Sequence, residues 1–266
     1  EGTKIGSRVA GLKPDRGHIG HQAAKMMKRA KTLEHRKEHA AREKERLLKD
    51  METLDSLKLN ILEYHSRRLL SLKNVTIDYL SRSPGTGNSQ EKNVTQPILK
   101  DFDLEILKGE RVALSGKNGC GKTSLIKLIL GKDIPHTGEV YISGGLKISY
   151  ISQDTSHLSG SLPEFAAKRG LEETLFYTIL KKLGLERVQF EKRIENYSEG
   201  QKKKVLLAAS LCEPAHIFLW DEPLNFIDIF SRIQLEELIL NFRPTMLFVE
   251  HDRTFQEKTA TKIIEM

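Results

Sequence analysis

Residues 116–123, Gly-Lys-Asn-Gly-Cys-Gly-Lys-Thr, constrain the fold of this chain more than any other stretch. They fit G-x-x-x-x-G-K-[ST], between the short strand predicted over Arg111–Ser115 and the helix predicted over Lys122–Leu130. The pattern has a mechanical reason. Glycines let the main chain curl until successive N–H groups point at phosphate oxygens, and the start of a helix adds a favourable potential for an anion. Gly116, Lys117, Asn118, Gly119, Cys120 and Gly121 then wrap a polyphosphate, and Lys122 bridges its terminal groups. The Thr123 hydroxyl, with Ser124 next to it, ligates Mg²⁺. Cys120 reads as a small filler contributing its backbone N–H rather than as a redox thiol.

A loop of this kind needs a strand before it and a helix after it, and the rest of the chain supplies more of both. Strands are predicted over Arg67–Tyr79, Ile98–Leu107, Val140–Ile142, Lys147–Ile151, His216–Trp220, Thr245–Val249 and Lys262–Glu265, with helices over Ser198–Leu211 and Ser231–Leu240. Residues 162–196 are charged and helical in period, which predicts a helical insert, and Ser81–Pro97 reads as a turn-rich insertion. Short, wholly apolar strands alternating with helices predict an α/β fold with a mostly parallel sheet. Ile217-Phe218-Leu219-Trp220-Asp221-Glu222 is a buried-strand pattern ending in two acids. That places Asp221 where it can hold Mg²⁺ through water, and Glu222 where it can polarise an attacking water. Apolar strands ending in acids are common, so this pair gains its weight from its partners.

Charge sets the two ends of the chain apart. Residues 1–33 carry eight basic and two acidic side chains, while residues 34–60 carry seven of each. From His21 to about Leu57 there is no Gly or Pro, and Ala23, Met26, Ala30, Leu33, Ala40, Leu47, Met51 and Leu54 mark a weak heptad seam. This predicts a helical arm, half of a hairpin, over residues 1–60, with its basic end suited to RNA phosphates. The balanced stretch 34–60 reads as a solvated face. A globular domain is expected over residues 67–266. Two cysteines exclude a disulfide scaffold and fit a reducing, cytoplasmic setting. No apolar run approaches the ~20 residues of a membrane span. The chain starts without Met, so it is expected to be a fragment.

Taken in order, the motifs resemble an ATP-binding-cassette (ABC) nucleotide-binding domain. Tyr150-Ile151-Ser152-Gln153 resembles the Q-loop, with Gln153 ligating Mg²⁺ and the water. Tyr197-Ser198-Glu199-Gly200-Gln201 resembles the signature motif, with Glu199 where Gly is usual. Pro223–Asp228 resembles the D-loop, and Val249-Glu250-His251-Asp252 the switch, with His251 contacting the γ-phosphate. Tyr79 matches the aromatic that stacks on adenine. The resemblance implies a P-loop parallel sheet core, an antiparallel β subdomain and a helical subdomain. It also implies an ATPase using ATP and Mg²⁺, with Glu222, His251 and Gln153 catalytic and Thr123, Gln153 and Asp221 around the metal. Ser198, Gly200 and Gln201 would act on the nucleotide of a second, head-to-tail cassette. The arm followed by a cassette is similar to the second half of an ABC-F protein of the bacterial ribosomal-protection branch. That implies ribosomal RNA and tRNA as partners and antibiotic resistance as the outcome. A transporter ATPase subunit and a housekeeping ABC-F factor are the alternatives, and an isolated cassette is expected to turn over slowly.

Overall fold

The computed structural model describes residues 60–79 and 96–266. The predicted arm before Asn60 and residues 80–95 of the insertion lie outside the described residues. In chain order the strands are β1 (Arg68–Tyr79), β2 (Gln96–Leu107), β3 (Arg111–Ser115), β4 (His136–Ile142), β5 (Ile148–Ile151), β6 (Ile217–Asp221), β7 (Met246–Val249) and β8 (Lys262–Glu265). The helices are α1 (Lys122–Ile129), α2 (Leu162–Arg169), α3 (Glu173–Lys182), α4 (Glu199–Cys212), α5 (Ile229–Phe242) and α6 (Arg253–Thr259). Two 3₁₀ turns, Arg187–Glu191 and Ile194–Asn196, complete the helical insert.

The strands form two sheets. A parallel sheet has the order β5-β6-β7-β3-β8, and an antiparallel sheet the order β2-β1-β4. Every residue of β6 and β7 is buried, which is why they read as unbroken apolar runs. Their side chains join those of β1, β2, β3 and α1 in one core containing Leu72, Ile106, Leu114, Leu125, Leu219 and Leu247. Each such leucine or isoleucine taken from water contributes about 1.5–3 kcal/mol.

This is the α/β architecture expected from the alternation. β4 begins four residues earlier than expected because His136–Glu139 are polar and exposed, and their strand character comes from pairing with β1. There the backbone bulges at Asn74, φ 49°. Gly138 lies so close that a Cβ would sit 2.4 Å from the Asn74 carbonyl oxygen. The short helix α6, seven residues with few apolar ones, was not expected. Its Asp252 cap, accepting from the Phe255 amide at 3.0 Å, was the signal available.

Candidate nucleotide-binding site

Because β3, β5, β6 and β7 are parallel neighbours, their carboxyl ends open on one edge of the sheet. The loops that follow carry, respectively, residues 116–123, Gln153, Asp221-Glu222 and Glu250-His251. This is the edge where open α/β sheets hold ligands. A cavity of about 430 Å³ there is lined by Asn118, Gly119, Gly121, Lys122, Thr123, Ser124, Gln153 and Glu222, with Ile98 of β2 at one wall.

The phosphate loop is built for an anion. Gly121 caps α1 in the left-handed region, φ 101°, and contributes no side-chain hydrogen bond, so the first N–H groups of the helix stay open toward the cavity. A Cβ on Gly121 would approach Ile98 to 3.1 Å. The Lys122 ammonium is held inside the curl, donating to the carbonyls of Gly116 (2.7 Å) and Lys117 (2.9 Å). Cys120 fills space as expected, its Sγ 3.8 Å from Lys122 Nζ. Its amide, however, closes a turn on the Lys117 carbonyl at 3.3 Å and so is not a free donor. Tyr79 ends β1 at this site, its hydroxyl donating to Ser124 Oγ at 3.0 Å with the side chain partly exposed.

Three carboxylates stand opposite the loop. Asp221 is fully buried, and both its oxygens lack a hydrogen-bond partner of normal geometry. Burial pushes its carboxyl above the ordinary range, against the pull of the Thr123 hydroxyl and the Lys203 ammonium. Buried unpaired oxygens beside a threonine hydroxyl and the Gln153 amide form a hard-oxygen set, which fits Mg²⁺. Glu222 adopts φ 50°, a left-handed conformation costly for a residue with a side chain. Its amide donates to the Val249 carbonyl at 3.0 Å, the Asn225 side chain donates to its carboxylate, and His251 Nε2 lies 3.6 Å away. Glu250, 4% exposed, accepts from the amides of Leu224 (2.7 Å) and His251 (3.1 Å), tying the D-loop to the switch. Burial raises its carboxyl above the ordinary range despite those two amides. The sequence reading assigned Glu250 no role, and a carboxylate directly before His251 was its only signal.

The signature residues are absent from the lining of this cavity. Ser198 caps α4 in a reciprocal box: its Oγ accepts from the Gln201 amide (3.3 Å), and the Gln201 side chain accepts from the Ser198 amide (3.0 Å). The hydroxyl proton is thereby left to donate outward. Gly200 meets the D-loop so closely that a Cβ would sit 2.4 Å from the Phe226 carbonyl oxygen. Glu199, the departure from the usual glycine, is occupied by the Thr155 hydroxyl and by Lys202, and these hold its carboxyl below the ordinary range.

This sheet edge, with its loop, acids and switch, defines an ABC-type ATPase cassette. Residues 99–225 match the family model described as ABC transporter. The fold is similar to the dimeric structure of MJ0796, a bacterial ABC transporter cassette, with a TM-score of 0.61 and 21% identity over 74% of this chain and 94% of that one. A second structure of MJ0796, in a post-hydrolysis state bound to ADP and Pi, gives a TM-score of 0.60 at 22% identity over 74% of this chain and 94% of that one. Among curated proteins the chain is similar to the ATP-binding protein Uup of Buchnera aphidicola, 34% identical over 173 residues, covering 62% of this chain and 29% of that one. It is also similar to the ribosome protection protein VmlR of Bacillus subtilis, 32% identical over 197 residues, covering 73% and 33%. These relatives are ABC-F proteins, and the chain belongs with them in that family. It spans about a third of their length. No helix among the described residues is long and apolar enough to cross a membrane.

Proposed function

We propose that the chain is the second cassette of a cytoplasmic ABC-F protein that binds and hydrolyses Mg-ATP and acts on the ribosome, giving protection against antibiotics. The observation that carries the ATP reading is the orphaned, buried Asp221 carboxylate facing Thr123 beneath a phosphate loop. The residues divide the work. The loop amides and Lys122 bind the polyphosphate, and Tyr79 stacks on the adenine. Thr123, Gln153 and Asp221 would hold Mg²⁺, which when bound neutralises charge on the phosphate oxygens. Glu222 accepts a proton from the attacking water, while His251 orients it against the γ-phosphate. Ser198, Gly200 and Gln201 serve the nucleotide of the partner cassette. Similarity to VmlR supports the ribosome, and the basic stretch 1–33 supports contact with RNA phosphates.

The test uses the full-length protein. Glu222→Gln is expected to keep Mg-ATP affinity and to lower the hydrolysis rate about 10²–10⁴-fold, the usual contribution of a general base. With ATP the variant should co-sediment with ribosomes more than wild type. Unchanged hydrolysis would remove Glu222 from the chemistry, and absence of both proteins from ribosomes would end the ribosome reading. Growth of a sensitive host against lincosamide, pleuromutilin and streptogramin drugs then tests protection.

A further inference from the structure

The run Lys202-Lys203-Lys204 looks like a solvated stripe, but only its first residue is near solvent. Lys202 pairs with Glu199 at 3.0 Å and Lys204 with Asp228 at 2.6 Å. Lys203 is 2% exposed and among the largest fully buried side chains of the described residues. Its ammonium donates to two main-chain carbonyls, Ser152 at 3.0 Å and Asp221 at 3.3 Å. Burial works against its charge, and the nearby Asp221, Glu250 and Glu222 carboxylates work for it.

Those two carbonyls belong to the peptide units Ser152–Gln153 and Asp221–Glu222. The orientation of a peptide plane sets where the next side chain leaves the backbone. One ammonium therefore fixes the planes from which both Gln153 and Glu222 project. At Glu222 the plane is gripped on both sides, its carbonyl by Lys203 and its N–H by the Val249 carbonyl at 3.0 Å. That double grip accounts for a glutamate persisting at φ 50°. Lys203 also lies two residues beyond Gln201 on α4, so it joins the signature helix to the hydrolytic acids by direct contact. A hydrophobic side chain would fill the same volume without the desolvation cost of a buried cation.

We propose that Lys203 is a positioning residue for ATP hydrolysis, holding Gln153 and Glu222 in their reactive orientations and linking them to the signature helix. The role rests on the hydrolysis reading above. In the full-length protein, Lys203→Met keeps the length of the side chain and removes its donors. The expected result is a thermal midpoint within a few degrees of wild type, Mg-ATP affinity within about threefold, and kcat lowered by at least about tenfold, as misplacement of catalytic groups does. Hydrogen exchange in the peptide containing the Glu222 amide should speed up, a readout independent of turnover. Wild-type kcat in Lys203→Met, or parallel loss of midpoint, affinity and kcat as for simple core filling, would overturn the role. Should that variant not fold, Lys203→Gln, which retains an amide donor on a shorter stem, is measured in the same way. A wild-type protein hydrolysing no faster than Glu222→Gln would overturn the hydrolysis reading, and this role with it. That outcome is separate from an active wild type matched by an equally active Lys203→Met.

Discussion

At the scale of single residues, function is concentrated in side chains held against their own preferences. Glu222 sits in a left-handed backbone, Asp221 is buried without a partner, and Glu250 is buried directly before the switch histidine. Glu250 gives a signed test. Its carboxyl titrates above 4.5 in the folded chain because burial disfavours the charge, so the folded state binds the proton more tightly than the unfolded state does. Its ionisation therefore lowers stability as pH rises from about 4.5 through the raised folded value. Relative to Glu250→Gln, wild type should lose unfolding free energy across that interval, measured by urea denaturation at a series of pH values. A constant difference between the two would contradict this. Glu222, Lys122 and His251 could be named from sequence because each lies within a short motif. Lys203 could not, because nothing local separates a lysine facing solvent from one reaching under two strand ends.

At the scale of elements, two helices begin with the same device and allow a controlled comparison. Ser161 caps α2 with Glu164, and Ser198 caps α4 with Gln201, both as reciprocal boxes. Ser161→Ala and Ser198→Ala should each cost about 1 kcal/mol of stability, the typical value of a lost cap, read as a lowered thermal midpoint. Only Ser198→Ala should also reduce ATP turnover, because its hydroxyl is assigned to the partner's nucleotide. Equal turnover in both variants would leave Ser198 as a cap alone. Strand and helix types were legible wherever apolar periodicity was strong, as in β6, β7 and α4. The polar start of β4 and the short helix α6 were not, since pairing to β1 and a single aspartate cap decide them.

For the whole molecule, the cavity holds one half of an ATPase site, and the signature stands outside it. Phe226 and Ile229, each 78% exposed, lie beside Gly200 and the D-loop, an apolar face fitted to burial in a pair. For this chain alone, specific ATPase activity should rise with protein concentration, and Glu222→Gln with Mg-ATP should sediment as a dimer. Strong, concentration-independent activity in a proven monomer would contradict the shared site. Sequence by itself determined the phosphate loop, the helix caps, the buried strands and the order of the motifs, because each depends on residues a few positions apart. Only the tertiary structure decided that four loops, spread from residue 116 to residue 251, converge on one sheet edge. The same holds for α4 turning Lys203 inward onto two of them. The physical reason is that strand order and helix rotation come from packing the whole core at once, and no local interaction specifies them.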